Sequence, residues 1–439
     1  MARRSRRAPL AVLMNGRPVG QLSKQASGAI EFQYAQEWLD QRNAIPLSLS
    51  MPLREDPYRG EPVVAVFDNL LPDIEALRRK VAEKVGAPGT DSFSLLGVIG
   101  RDCIGALQFL PEDAVGKATT NELAREPVDE RQIEEMLANL SKAPLGLGPD
   151  DAFRISIAGA QEKTALHWYE GQWYRPTGTT PTTHILKTRW GQLPQGIDLT
   201  DSVQNEYYCL KLLSEFGLTV NDARIARFGD VTALVIKRFD RRWTAEGRLL
   251  RLPQEDMCQA LSVPPTMKYQ SDGGPGLAEI LEVLKGSDDP FADQRNFLKT
   301  QMLFWLIGAT DGHAKNFSIS LLPGGRYRMT PIYDVLTAEP ALQAGSVTRR
   351  QMKLAMRVGR RRHYRMDHIQ GRHFGETLRS ARLPATLAQE VFEDIRASAQ
   401  QALQDVLQHL DRDFPFRIHE QVSDRMISLF DRTAFPTDA

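Results

Sequence analysis

The order of apolar and polar positions along the chain predicts paired strands near its start and helices towards its end. An apolar run at residues 10–14 precedes Asn15-Gly16, a pair typical of a tight hairpin turn, and residues 30–34 alternate as a third strand would. From residue 277 onward the helical period dominates. The predicted helices of this part span residues 277–285, 291–309, 367–382, 385–411 and 415–430.

Composition narrows the class of protein. Apolar residues make up 42% of the 439, and the formal net charge is zero, so the whole molecule has no long-range attraction for polyanions. The cysteines at positions 103, 209 and 258 show no pairing or metal spacing, which favours a reducing compartment and argues against a structural zinc site. The basic start (Arg3, Arg4, Arg6 and Arg7) precedes an apolar run too short for a signal peptide. We therefore expect a cytoplasmic protein with no membrane partner.

One stretch carries candidate chemistry. The apolar residues 302–307 predict a buried helix, and residues 308–316 then turn polar and expose Asp311 and Asn316 in an Asp-x4-Asn spacing. Protein kinases use this spacing in their catalytic loop, where the Asp receives the proton of the substrate hydroxyl and the Asn holds magnesium. Asp334, after a strand-like run, matches the Asp that joins magnesium to the phosphates. A capped loop between a helix and a strand fits the same spacing.

The region before this loop has the order of a kinase small lobe. A predicted strand at residues 153–157 leads into a turn of small and polar residues at 158–163, a second strand follows, and Lys187 lies at the end of another strand. Glu206 lies on a predicted helix and matches the glutamate that pairs with a strand lysine in kinases. Each feature alone also fits an ordinary tight turn, a surface lysine or an exposed glutamate. Their order, ahead of Asp311, favours a kinase.

An unbroken β pattern at residues 231–236 ends in Lys237, Arg238 and Phe239. Kinases enter the hinge between their lobes in this way, and backbone groups of the hinge read the adenine edge. A core strand followed by a surface turn fits equally well.

These patterns predict an α+β, two-lobed kinase-like fold. We divide it into an N-terminal α+β subdomain (1–140), a small lobe with the phosphate-binding turn and the hinge (141–240) and an all-helical C-terminal lobe (241–439). Residues 110–130 are acidic and polar and are predicted to form a surface linker or a loosely packed connection.

Several stretches resemble the HipA serine/threonine kinases, the toxins of bacterial HipBA toxin–antitoxin modules. The resemblance covers nearly the whole chain from about residue 12. Its motifs lie at residues 67–73, 153–166, 181–184, 205–209, 238–241, 252–259, 268–276, 311–316 and 333–334.

This resemblance implies a role for each matching residue. Asp311 is the expected catalytic base, Asn316 and Asp334 the expected magnesium ligands, and Ser156 the expected site of autophosphorylation. The residues expected to contact ATP are Ala158, Gly159, Ala160, Gln161, Glu162, Lys163, Lys187, Lys237, Arg238, Phe239, His313, Lys315 and Tyr333. Lys237 departs from the family, where we expect an acidic residue, so only a backbone contact to adenine carries over there.

The family also implies partners. Its members phosphorylate the glutamate–tRNA ligase of the host, which halts growth in a dormant state. A small dimeric helix-turn-helix antitoxin of the HipB type neutralises the kinase and represses the shared operon with it. Two alternatives remain open at the level of sequence: a catalytically weak nucleotide-binding co-repressor, and a kinase of small molecules or lipids.

A basic run lies between residues 349 and 365 and includes Arg360, Arg361 and Arg362. In a neutral protein, such a cluster is a candidate contact for operator phosphates or for an acidic partner. An ordinary solvated surface is the alternative interpretation.

Overall fold

The computed structural model describes residues 8–118, 123–147, 153–159, 161–192, 196–361 and 363–433. The chain divides into two compact units. The first unit comprises residues 1–188, 226–266 and 319–326, and the second unit comprises residues 189–225, 267–318 and 327–439. The division into three domains at residues 140 and 240 stays a prediction.

The strands, in chain order, are β1 Leu10–Met14, β2 Arg17–Lys24, β3 Ile30–Tyr34, β4 Tyr58–Arg59, β5 Leu107–Pro111, β6 Arg125–Val128, β7 Lys163–Tyr169, β8 Gln172–Pro176, β9 His184–Thr188, β10 Gly191–Gln192, β11 Asp198–Leu199, β12 Ala223–Phe228, β13 Val231–Lys237, β14 Arg241–Trp243, β15 Leu249–Arg251, β16 Gln254–Asp256, β17 Ser318–Leu321, β18 Tyr327–Met329, β19 Lys353–Val358 and β20 His363–Arg365. The α-helices are α1 Gln36–Leu39, α2 Glu61–Asp68, α3 Glu75–Val85, α4 Ser92–Ile99, α5 Val115–Ala118, α6 Glu130–Ala138, α7 Ser202–Glu215, α8 Met257–Ala260, α9 Leu277–Leu284, α10 Pro290–Ile307, α11 Glu339–Gln343, α12 Gly371–Ser380, α13 Thr386–Asp405 and α14 Arg417–Arg432.

A five-stranded sheet of order β4-β3-β2-β1-β5 opens the first unit. The predicted hairpin is confirmed: β1 and β2 pair antiparallel, and the turn residues Asn15 and Gly16 have φ values of 49° and 76°. Positive φ at both central positions is the geometry that matches the twist of paired strands. Buried aromatic side chains pack beneath this sheet. The rings of Phe67 and Phe109 stand edge to face, with their centroids 5.5 Å apart.

A second sheet of the first unit carries the strands β13-β9-β7-β8-β6 side by side. The prediction of a linker across residues 110–130 is wrong at its end, because Arg125–Val128 form the edge strand β6 and Val128 lies opposite Trp173 of β8. The acidic and proline-containing sequence of this stretch favoured a linker over a strand. Proline lacks the N–H that an inner strand needs, but an edge strand tolerates it.

The segment 153–157 was predicted as a strand, and this prediction is also wrong. Phe153, Ile155 and Ile157 are buried as strand residues would be, but the segment belongs to no ladder. Its backbone bonds instead to a loop, since the amide of Ser156 donates to the carbonyl of Asp102 at 2.9 Å. The apolar residues of the segment are thus buried without strand pairing, and Ser156 between them is buried as well.

The second unit is mainly helical, and the predicted helices are confirmed within a few residues of their predicted ends. Trp305 of α10 is fully buried, packs its ring against Phe374 of α12 and Phe392 of α13, and donates its indole N–H to the carbonyl of Met366 at 3.0 Å. The description of residues 241–439 as all-helical is corrected, because the basic run forms the hairpin β19–β20. Over the described residues, we find no helix with the length and apolar character required to span a lipid bilayer.

Candidate functional site

The catalytic-loop candidate begins where α10 ends. Gly308 stops this helix in the left-handed conformation at φ 76°, and a Cβ at this position would lie 2.8 Å from the carboxylate of Glu339. Only glycine meets both conditions without strain. The chain therefore leaves α10 sharply just before Asp311, which is exposed as the sequence predicted, whereas the predicted exposure of Asn316 is wrong because this residue is buried.

Asp311 is exposed, whereas the predicted partners that follow it are buried: His313, Lys315 and Asn316. The backbone carbonyl of Asp311 accepts from the side-chain amide of Asn316 at 2.8 Å and from the amide of His313 at 2.8 Å. The carboxylate of Asp311 accepts the hydroxyl hydrogen of Tyr269. A fixed loop thus presents one carboxylate at the surface, which is the arrangement that a base acting on an incoming hydroxyl needs.

Asp334 has φ 61°, a left-handed conformation that costs energy for residues other than glycine but less for aspartate than for most. The neighbouring Tyr333 donates its hydroxyl to the carbonyl of Lys315 at 3.0 Å, which ties the Asp334 segment to the catalytic loop. The side-chain nitrogen of Asn316 donates to the carbonyl of Asp311, so the side-chain oxygen of Asn316 is the atom that could bind a cation. An amide oxygen and a carboxylate are hard donors of the kind that magnesium prefers, and the residues fit this ion.

Within the described ranges, no group of three or more His, Cys, Asp or Glu residues is arranged to hold a metal. The magnesium assignment rests on Asn316 and Asp334 alone and stays a prediction.

In the first unit, the described residues of the predicted turn at 158–163 bond to their neighbours. Gly159 has φ 105° and forms a parallel bridge with Pro72, and Lys163 donates its ammonium to the carbonyl of Ala158 at 2.9 Å. Gln161 donates its side-chain amide to the carbonyl of Thr188 at 2.7 Å. Two of the predicted ATP contacts, Gln161 and Lys163, therefore shape the turn itself. Glu162 is exposed, and Ala160 lies outside the described residues.

Ser156 precedes this turn and is fully buried. Its hydroxyl donates to the carbonyl of Leu70 at 2.7 Å. The predicted phosphorylation site is therefore closed to a second molecule in this conformation, and Ser156 must leave its place before its hydroxyl can react.

Lys187 and Lys163 lie directly opposite each other on the antiparallel strands β9 and β7. Side chains opposite each other on paired strands share one face of the sheet, and both lysines are largely buried, at 6% and 7% exposure. Like charges in this arrangement repel, so an anion beside them lowers the energy of the pair. Sequence reasoning found both lysines but not their pairing, which depends on the strand register.

Glu206, the predicted partner of Lys187, is buried on α7 of the second unit, with 1% exposure. The ion pair between the two residues stays a prediction.

At the predicted hinge, Lys237 is exposed at the end of β13 and Phe239 is half-buried. Arg238 is buried, and its amide donates to the carbonyl of Thr183 at 2.9 Å. Its guanidinium donates to Asp240 at 2.6 and 2.9 Å and to the hydroxyl of Thr182 at 2.8 Å. The side chain of Arg238 is thus occupied within the protein.

Arg238 belongs to a buried ionic cluster that sequence reasoning missed. It comprises Asp102, Arg238, Asp240, Arg241 and Arg251. Burial alone would raise the pKa of the Asp102 carboxyl, but the guanidinium groups of Arg241, Arg251 and Arg238 outweigh it and hold that pKa well below its usual value. The charged run after β13 was the only signal, and nothing in it pointed to Asp102, far away in sequence.

In the basic run, Arg360 and Arg361 are exposed between β19 and β20, and Arg362 lies outside the described residues. Arg365 forms an ion pair with Asp367 at 2.5 Å, so part of its charge is compensated. Arg357 and Arg360 line a cavity of about 250 Å³ together with Glu279 and Thr377. This surface is therefore less uniformly positive than the sequence indicated.

Comparison with known families gives two matches in one chain. The HipA N-terminal domain model matches residues 10–110, and the HipA-like C-terminal domain model matches residues 155–403. "Putative kinase Y4mE" of Sinorhizobium fredii is 36% identical over 357 residues, which cover 80% of this chain and 81% of that protein. "Serine/threonine-protein kinase toxin HipA" of Shewanella oneidensis is 28% identical over 336 residues and covers 73% of each chain.

Among solved structures, the Shewanella oneidensis HipA in a complex with HipB and operator DNA has the same fold. The TM-score is 0.79 at 24% identity, and the match covers 96% of this chain and 97% of that one. The two family models and the 36% identity to Y4mE lead to the same assignment. The chain belongs to the HipA family of toxin kinases.

Proposed function

We propose that this protein is an ATP- and magnesium-dependent protein serine/threonine kinase and the toxin of a toxin–antitoxin pair. The observation that carries the proposal is the catalytic loop, in which Asn316 and His313 hold the backbone of Asp311 and leave its carboxylate exposed. Lys163 and Lys187 lie opposite each other on β7 and β9, and two lysines on one face of a sheet suit the binding of phosphates.

In the proposed reaction, the serine or threonine oxygen of the substrate attacks the γ-phosphorus, and the bond from this phosphorus to the β–γ bridging oxygen breaks. ADP leaves, and the hydroxyl proton goes to the carboxylate of Asp311. Magnesium held by Asn316 and Asp334 would neutralise charge on the phosphates. Backbone groups beside Lys237 and the ring of Phe239 would receive the adenine.

For the protein substrate, we propose the glutamate–tRNA ligase of the host, and Ser156 for autophosphorylation. The first rests on family membership alone. The second rests on the position of Ser156 next to the turn at 158–163. We also propose a dimeric HipB-type antitoxin as partner, with repression of the shared operon by the complex, since the solved Shewanella HipA is bound to HipB and operator DNA.

Two other functions are weaker. A catalytically weak co-repressor would have lost part of the kinase set, but Asp311, Asn316, Asp334 and Lys187 are all present. A kinase of small molecules or lipids has no specific observation in its favour, and labelling distinguishes it.

The test is a transfer assay with γ-labelled ATP and magnesium on the host's tRNA ligases, followed by phosphosite mapping. We expect label on a serine of glutamate–tRNA ligase from the wild-type protein and none from the Asp311→Asn variant. Asp424→Asn, an exposed substitution on α14, serves as the matched control and should retain activity. Label confined to small molecules or lipids would contradict the protein-kinase proposal.

A further inference from the structure

Ser156 and Gly159, which lie before and within the predicted turn, both contact one short segment of the N-terminal sequence, residues 68–72, which we call the seat. The carbonyl of Leu70 accepts the hydroxyl of Ser156 at 2.7 Å, and Pro72 forms the parallel bridge with Gly159. Leu70, Leu71 and Pro72 are buried. The backbone of the seat therefore defines the position of Ser156 and Gly159 in this structure, which we call their closed position.

The seat starts at Asp68, the last residue of helix α2, and lies before α3, which begins at Glu75. Backbone bonds hold its first part, because the amides of Asn69 and Leu70 donate to the carbonyls of Ala65 and Phe67 at 3.3 Å, and the amide of Leu71 donates to the carbonyl of Asp68 at 3.2 Å. The carbonyls at the two ends of the seat, those of Asp68 and Pro72, also accept bonds from a side chain.

Arg78, on the first turns of α3, supplies those bonds. Its Nε donates to the carbonyl of Pro72 at 2.7 Å and its Nη2 donates to the carbonyl of Asp68 at 3.0 Å. Its Nη1 lies 3.4 Å from the carboxylate of Asp68. One planar guanidinium thus holds both ends of the seat.

Burial makes these bonds costly to lose. Arg78 is 7% exposed and Pro72 is buried, so a seat without this guanidinium would leave a buried carbonyl without its donor. Asn69 adds a second support, because its side-chain amide donates to the carbonyl of Ala65 at 2.8 Å and of Val263 at 2.9 Å.

We propose that Arg78 is a positioning residue for the phosphate-binding turn. Through the seat, it determines how often Ser156 and Gly159 leave their closed position. The consequence for ATP binding and for phosphorylation of Ser156 rests on the proposed function, but the positioning itself is a property of the fold and can be measured without nucleotide.

The experiment is hydrogen–deuterium exchange of the full chain without nucleotide, read on peptides that cover residues 153–159. We compare Arg78→Met, which keeps much of the side-chain volume, with Arg79→Met on the same helix. Arg79 is the matched control because its side chain is 66% exposed and forms an ion pair with Glu75 on the same helix. Peptides from β1 and β2 report whether the rest of the unit stays folded.

We expect exchange in residues 153–159 to be roughly tenfold faster in Arg78→Met, with exchange in β1 and β2 unchanged. Local opening then costs less free energy, because the bonds that Arg78 makes to the seat are already absent. Arg79→Met should behave as the wild-type protein. Equal exchange in Arg78→Met and Arg79→Met would overturn the proposal.

Arg78→Lys is a second variant, needed if Arg78→Met also accelerates exchange in β1 and β2 and thus destabilises the whole unit. Lysine keeps the charge but lacks the planar fork, so it cannot bridge both ends of the seat. Faster exchange confined to residues 153–159 supports the proposal, and wild-type exchange contradicts it. If exchange behaves as expected while no variant or wild-type sample transfers phosphate, the proposed kinase function fails and the positioning role stands.

Discussion

The hydroxyl of Tyr269 donates a hydrogen bond to the carboxylate of Asp311. The ring of Tyr269 also stands edge-on to the ring of His313, with centroids 4.9 Å apart. The tyrosine thus contacts the proposed base and a neighbouring loop residue together. This bond holds one carboxylate oxygen, and under the proposed function the other oxygen would receive the proton of the substrate hydroxyl.

From this relationship we expect Tyr269→Phe to lower kcat by roughly tenfold with little change in the KM for ATP, since a bond to a charged group is lost while the ring stays. Steady-state transfer assays at several ATP concentrations measure both constants. Tyr364→Phe, on β20, is the matched control. An unchanged kcat in Tyr269→Phe, with Asp311→Asn inactive, would show that the hydroxyl does not position the base.

Phosphorylation of Ser156 should weaken the binding of ATP. A phosphate adds about 1.5–2 negative charges, and the buried bond from Ser156 to Leu70 leaves no room for it, so the turn must move outwards. We propose to phosphorylate the protein fully at Ser156, confirm this by mass spectrometry and titrate ATP with magnesium. An ATP affinity equal to that of the unmodified protein would remove the off-switch interpretation. Ser156→Ala should lose autophosphorylation, and Ser156→Asp should mimic the phosphate only in part.

The stability of the protein should fall with rising pH because of Glu255. This carboxyl is buried and accepts the amide hydrogen of Leu49 at 2.8 Å, and burial raises its pKa to about 8 from an ordinary 4.5. The folded state therefore keeps a proton that the unfolded state loses above pH 4.5. The contribution of Glu255 is full below that pH and declines up to pH 8, by at most about 4–5 kcal/mol at roughly 1.4 kcal/mol per pKa unit.

Denaturant unfolding at pH 5.5 and 8.5 measures this effect. Glu255→Gln imitates the protonated carboxyl, so it should reduce the difference between the two pH values, whereas Glu61→Gln on the exposed start of α2 should leave it unchanged. The same pH difference in Glu255→Gln and in the wild-type protein would contradict the assignment.

Asp102→Asn should destabilise the first unit by about 3–5 kcal/mol, because it removes the charge that faces three buried arginines. The comparison is Asp113→Asn, an exposed position after β5. Thermal unfolding monitored by circular dichroism gives the midpoint shift. A midpoint shift as small as that of Asp113→Asn would mean that the guanidinium groups are compensated by other groups.

Charge reversal at Arg360, Arg361 and Arg362 should weaken operator binding by the toxin–antitoxin complex and make its salt dependence shallower, since fewer counterions are released. Fluorescence anisotropy across a salt series measures both. Reversal at Arg131, Arg248 and Arg412 gives the same change in net charge at exposed sites elsewhere. Equal affinities for the two triple variants would show that the basic run does not contact DNA.

Local sequence determined those features that depend on near neighbours. Asn15-Gly16 specified the hairpin because positive φ at two consecutive positions suits few other residues. Gly308 and the polar residues after it specified the end of α10 and the exposure of Asp311 in the same way. These signals also supported the family resemblance, because motif spacing is a property of the sequence itself.

Tertiary structure alone decided which distant residues meet. The pairing of Lys163 with Lys187 depends on strand register, the burial of Ser156 depends on the seat, and the cluster around Asp102 joins residues more than a hundred positions apart. Buried polar groups must find partners wherever the fold brings them, and no periodicity in the chain records which partner that is. For this reason, the sequence identified the residues of the candidate site, while the fold determined which of them are exposed, as Asp311 is, and which bond within the protein, as Gln161 and Lys163 do.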